Sequence, residues 1–215
     1  AFIWSFSIKE PSAAPSAQKI LEPLLPILKR PVVFSFFIIE FIMLFAQAPF
    51  YSFYSNYLKF AGYSTTQIGF LWSVGVIAEI IMFNYANFFL NRFSWRSLVA
   101  LCLIMTSIRF ILAGLFSESF IIQFISQTFH AFSFGLFHII AMRVILQNFA
   151  AKQQGRGQAL YSTMWGLGVA SGSILAGQYW EKLSGEYIFI IAGFSALLGL
   201  LLINFLPKTL QTIQR

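Results

Sequence analysis

Glu40, Glu79, Arg109, His130 and His138 stand within long apolar runs of this sequence. A charge at the centre of a membrane helix costs roughly 2.5–3.5 kcal/mol on insertion scales, so such a residue faces protein or water and has a partner. Glu and His exchange protons, and Arg holds a carboxylate charged or releases it. On neighbouring helices at similar depth, the set suits a proton relay. Each residue also has a plainer role: Glu79 with Arg109 as an ion pair between helices, His130 and His138 as satisfied interior histidines.

Spacing places these groups on faces. Glu40, Gln47 and Tyr51 are 7 and 11 residues apart, and at about 100° per residue they share one side of a helix. Gln123, Gln127, His130, Phe134 and His138 form a second polar and aromatic stripe, and Cys102, Thr106 and Arg109 a third. Several helices therefore turn a polar face toward something other than lipid. Trp72 and Trp165 add flat aromatic surface.

The composition fixes what positions these stripes. Of 215 residues, 58% are hydrophobic and 10% charged, and mean hydropathy is +0.76. Soluble domains carry about a quarter charged residues, so a soluble enzyme, a disordered tail and a nucleic-acid-binding domain are excluded. Cys102 is the single cysteine and forms no intrachain disulfide; no Cys/His spacing fits zinc. H-E-x-x-H, G-x-S-x-G and phosphate-loop motifs are absent, and histidines eight apart are poorly spaced for one metal, so neither an enzyme nor a metal site is expected. No cofactor is expected beyond a coupling proton.

A crossing needs about 20 mainly apolar residues. Six stretches qualify: Pro31 to Tyr54, Thr66 to Leu90, Trp95 to Leu115, Phe120 to Leu146, Gln158 to Trp180, and Tyr187 to Leu206. The expected organisation is the end of a preceding span at 1–8, a cytoplasmic loop at 9–30 with a short amphipathic piece near Ile20 to Leu28, a six-helix bundle at 31–206, and a cytoplasmic tail at 207–215. The chain reads as a fragment. Alternate loops and the tail hold ten basic residues, against Lys59 and Lys182 on the other side. This bias predicts both ends cytoplasmic. It also accounts for the net charge of +7 without a nucleic-acid partner.

Trp72-Ser73-Val74-Gly75-Val76 and Trp165-Gly166-Leu167-Gly168-Val169 share a W-x-x-G-V pattern three spans apart. Repeats of three helices sit in opposite senses in the membrane, as in the halves of major facilitator carriers. The expected fold is an all-α integral membrane bundle of two inverted three-helix repeats.

Three segments carry a closer likeness: Tyr51 to Phe83, Gln127 to His138 (QTFHAFSFGLFH), and Gly155 to Gly177. They resemble the phenylpropionate permease branch of the major facilitator superfamily, and the polar order resembles the C-terminal half of its lactose-permease-like members. The resemblance implies the C-terminal six helices of a twelve-helix bacterial inner-membrane carrier, with an N-terminal half as partner. It implies proton coupling at Glu79, Arg109 and His130. Lactose permease carries a glutamate three residues after that histidine, where this chain has Ser133, so Glu79 or Glu40 would have to take that role.

The expected function is proton-coupled symport of a small organic substrate, such as an aromatic acid, nucleoside or sugar. Candidate substrate contacts are Glu40, Gln47, Tyr51, Trp72, Gln127, Phe134, His138 and Trp165, with Arg109 as counter-charge to Glu79 or as a direct ligand of a substrate carboxylate. The alternative is a non-transporting six-helix scaffold, a partner subunit or a truncated inactive carrier.

Overall fold

The computed structural model describes residues 23–206, all of whose regular elements are helical. The expected segments 1–8 and 207–215, and most of the loop at 9–30, lie outside the described residues. Of the amphipathic piece near Ile20 to Leu28, the described part is a short helix, α1 (Leu24–Leu28). It packs Ile27 into the core.

Helix α2 (Pro31–Phe60) begins on Pro31, whose missing N–H would be unpaired there in any case. It continues through Pro49 and past the expected end at Tyr54. In a long apolar helix, neighbouring groups compensate the one bond that proline removes. Helix α3 (Thr65–Arg92) starts on a capping box: Ser64 Oγ accepts from the Gln67 N–H while the Gln67 side chain accepts from the Ser64 N–H. Ser94 and Ser119 cap α4 (Trp95–Leu115) and α5 (Phe120–Thr128) in the same position. After α5 the chain widens into a π-helical turn at Ala131–Leu136, then resumes as α6 (Phe137–Asn148).

The expected fifth and sixth spans fall within one helical stretch. It comprises a 3₁₀ turn (Ala151–Gln153), α7 (Gln154–Leu197) and a final 3₁₀ segment (Leu198–Phe205). A straight helix of 55 residues would be about 80 Å long, far more than a bilayer core of about 30 Å. The stretch breaks at Ser184, whose φ of 61° and ψ of 158° are non-helical. Before the break, Gly168 and Gly172 lie against the α2 backbone at Phe41 to Phe45 and then Phe45 to Ala48, so this arm runs parallel to α2. After it, Gly193 faces Ser107 and Ile111 and Gly199 faces Leu103, whereas α4's Gly114 faces Glu186 and Phe189. The second arm therefore runs antiparallel to α4. Among the described residues, five helical stretches are long and apolar enough to cross a membrane.

At the Pro31 end, Arg30 donates to the Asn148 carbonyl at 2.9 Å, and Arg96 to Leu206 and Asn204 carbonyls at 2.6 Å each. These guanidinium groups satisfy carbonyls that helix ends leave unpaired. At the opposite end Tyr57 donates to the Gly114 carbonyl at 2.7 Å, tying α2 to α4. Aromatic and branched side chains from all the long helices fill two core clusters, one toward each end. The polar site sits between these anchored ends.

Candidate functional site

Helix α4 carries Arg109 into the interior with 1% of its surface exposed. Its hydrogen bonds all reach one neighbouring strip. Nη1 donates to His130 Nδ1 at 2.9 Å and to Ser133 Oγ at 3.0 Å, and Nη2 to Gln127 Oε1 at 3.2 Å. The guanidinium also lies over the Phe50 ring, 4.1 Å from its centroid, and 5.2 Å from that of Phe110. Such cation–π contacts strengthen when water is excluded.

Arginine can only donate, so His130 Nδ1 accepts and the ring proton resides on Nε2. Nε2 faces Glu79 Oε2 at 3.7 Å, too long for a hydrogen bond and within reach of a small movement. The pairing of Glu79 with Arg109 expected from the sequence is therefore corrected: His130 stands between them. No carboxylate among the described residues lies within ion-pair distance of Arg109. The Arg109 side chain is sealed and committed to its three acceptors in this conformation. The accessible end of the row is Glu79, whose side chain is 17% exposed.

Two local features allow the approach. At Gly75 on α3, an added Cβ would meet Gln127 Oε1 at 3.2 Å and His130 Cδ2 at 3.5 Å, so a bare backbone lets α3 close on the strip. The π-helical turn follows His130 immediately; such turns shift the register of side chains beyond them and recur at functional sites. Within it the Ser133 carbonyl accepts from Gln47 Nε2 at 3.0 Å, and Gln47 Oε1 accepts from Tyr51 at 3.3 Å.

A second group lies toward the Pro31 end. Phe134 stacks between two imidazoles, 5.4 Å from His130 at 20° and 5.8 Å from His138 at 5°. His138 Nδ1 pairs with the Tyr161 hydroxyl at 2.9 Å, and Trp165 meets Phe134 edge-on at 5.5 Å. Phe134, His138 and Trp165 are half-buried.

The remaining candidates separate from these groups. Trp72 donates to Ser55 Oγ at 3.0 Å and packs on Phe50 at 4.5 Å. Gln123 leaves its stripe: it accepts from Tyr54 and donates to the Ala113 and Phe116 carbonyls, closing the α4–α5 turn. Glu40 is fully buried, and neither carboxylate oxygen has a hydrogen-bond partner. Gln47, on the same helical face, is equally sealed, whereas Tyr51 is half-buried.

Sequence reasoning missed Phe50 and Tyr161. Phe50 offers no signal beyond its place after Pro49, whereas Tyr161 precedes Trp165 by one helical turn and continues its face.

Polar and charged groups are thus buried between apolar helices long enough to cross a membrane. The profile of the MFS_1 like family matches residues 5–191. This chain belongs to that family. It is thus a member of a family of carriers rather than an enzyme, and a multi-pass membrane protein. A probable 3-phenylpropionic acid transporter of Escherichia coli (strain K12) is 32% identical over 151 residues, a stretch covering 68% of this chain and 38% of that protein. The chain therefore spans well under half the length of the relative it matches. The phenylpropionate permease likeness read from the three segments is borne out.

Proposed function

We infer that the chain is the C-terminal half of a proton-coupled symporter for a small aromatic carboxylic acid. The observation that carries this reading is the row Glu79, His130, Arg109: a carboxylate at the accessible edge, a titratable ring behind it, and a sealed cation behind that. Protonated Glu79 leaves His130 held by Arg109 alone. Loss of that proton creates a carboxylate that draws the Nε2 hydrogen across the 3.7 Å gap, which couples charge to helix position. Arg109 acts from within as the fixed counter-charge, and Gln127 and Ser133 keep it in place.

Phe134, Trp165, Trp72 and Tyr51 offer flat faces for an aromatic ring, and the relative's named substrate has one. His138, half-buried, is the polar neighbour for its carboxylate, while Gln47 and Gln127, sealed in this conformation, hold the surrounding frame. Six crossings, with Ala151–Phe205 making the last two by reversing at Ser184, fit the opposed arms of that stretch. Two inverted three-helix repeats, both ends cytoplasmic and a bacterial inner membrane complete the reading, the orientation supported by the lysine and arginine bias. An N-terminal six-helix half is the partner, with substrate held between the halves, and no cofactor is needed beyond the proton.

The test is uptake of labelled 3-phenylpropionate by the complete carrier in liposomes under an imposed pH gradient. Accumulation in the wild type, lost in Glu79→Gln while exchange across the membrane persists, supports the reading. Gradient-driven accumulation undiminished in Glu79→Gln refutes the proton role.

A further inference from the structure

Tyr161 takes no part in the central row. Among the described residues its hydroxyl has one hydrogen bond, to His138 Nδ1 at 2.9 Å. The residue is buried, so its phenolic proton needs a protein acceptor. His138 Nδ1 is the acceptor in place. Tyr161 therefore donates, and the imidazole proton resides on Nε2. The reverse arrangement, with Nδ1 donating, strands the phenolic proton in the interior, a cost that buried donors avoid.

The imidazole is held in orientation as well as in tautomer. Phe134 stacks on it at 5.8 Å and 5°, and the Tyr161 ring meets it edge-on at 5.4 Å and 66°. His138 itself is half-buried. Its Nε2 hydrogen is directed away from Tyr161 by the shape of the ring, and Nε2 is the nitrogen left to meet a ligand.

These side chains come in two rungs. Phe134 precedes His138 by four residues, and Trp165 follows Tyr161 by four. The contact of Phe134 with Trp165 at 5.5 Å and that of His138 with Tyr161 therefore link two antiparallel segments, one turn or about 6 Å apart along the axis. One rung is wholly aromatic, and the other ends in a directed N–H. A ligand with an aromatic ring and a carboxylate separated by a short chain spans that step.

We propose that Tyr161 is a positioning residue for substrate: its hydroxyl holds His138 as an Nε2–H donor aimed at the carboxylate of an aromatic acid whose ring rests on Phe134 and Trp165. The identity of the ligand rests on the carrier reading above, whereas the hold of Tyr161 on His138 stands without it.

Nitrogen NMR of the complete protein in liposomes, with isotope-labelled histidine, reads the tautomer directly. The His138 signals are those that His138→Asn removes. The expected result is a protonated Nε2 and a bare Nδ1 in the wild type, and a mixture of tautomers in Tyr161→Phe. Equilibrium binding supplies the second readout. Tyr161→Phe should weaken 3-phenylpropionate roughly tenfold, the loss of one directed bond to a charged group, and leave 3-phenylpropanol, which has no carboxylate, unchanged. A protonated Nδ1 in the wild type overturns the proposal. So does undiminished binding of the acid in Tyr161→Phe, and so does equal weakening of acid and alcohol, which marks a packing role. If Tyr161→Phe does not fold, the wild type decides: the acid must move the His138 Nε2 resonance and the alcohol must not. Absence of 3-phenylpropionate binding in the wild type refutes the carrier reading, and the tautomer still decides what Tyr161 does.

Discussion

Arg109 and Glu79 do not touch: the imidazole of His130 lies between them, 2.9 Å from the guanidinium on one side and 3.7 Å from the carboxylate on the other. The cation is sealed, and the acid stands at the edge. A positive charge with three neutral acceptors and two aromatic faces, but no adjacent carboxylate, is held by hydrogen bonds and ring quadrupoles rather than by ion pairing.

Removing Arg109 therefore costs structure before it costs transport. Arg109→Ala leaves Gln127, Ser133 and His130 without their donor and opens a cavity, an expected loss of about 2–5 kcal/mol. Cys102 supplies the assay: it is the sole cysteine and is fully buried, so a thiol-reactive dye reports unfolding on heating in detergent. A Tm for Arg109→Ala within a degree or so of wild type would contradict the network.

Ser133 is the mildest probe of the same site. Ser133→Ala deletes one acceptor of Nη1 and keeps the backbone carbonyl that holds Gln47. The expected destabilisation is about 1.5–3 kcal/mol, the cost of one hydrogen bond to a charged group, and dye-monitored melting measures it.

Close packing of the first arm of α7 on α2 depends on Gly172, where an added Cβ would sit 2.5 Å from the Phe45 carbonyl oxygen. Backbone cannot yield as a side-chain tip can. Gly172→Val is expected to lose more than about 3 kcal/mol and most of its membrane expression. Gly166→Ala, six residues earlier with nothing within 4 Å, is the matched control and should be near neutral. Equal behaviour of the two would refute the parallel arm.

The reversal at Ser184 makes the opposite prediction. A φ of 61° in a residue with a Cβ is strained, by roughly 1–2 kcal/mol for an L-residue. Ser184→Gly should raise Tm, by an energy of about 0.5–1 kcal/mol once the added freedom of the unfolded chain is subtracted. Ser184→Val should lower it. A fall in Tm for the glycine variant would place the turn elsewhere.

Much of the frame was legible in the chain itself. Trp95 to Leu115 was read to the residue as α4, and the break at Ser184 falls on the polar punctuation that separated the last two apolar runs. Helix length and hydropathy are local properties, so apolar runs and their turn residues suffice to read them. The depth of Glu79, Arg109 and His130 was legible for the same reason: rise per residue fixes the level of a side chain along its own helix.

Which neighbours meet at that level was decided only by tertiary structure. Periodicity gives a face but not the rotation of that face against other helices, and the π-helical turn after His130 shifts the phase that regular spacing assumes. So Gln123 left its stripe, Glu40 turned into a dry interior, and His130 rather than Glu79 met Arg109. The sequence by itself determined a membrane bundle and the heights of its charges. Packing around Gly75 and the π-helical turn decided which of them touch, because contact depends on helix rotation and close approach, and neither is written in one helix alone.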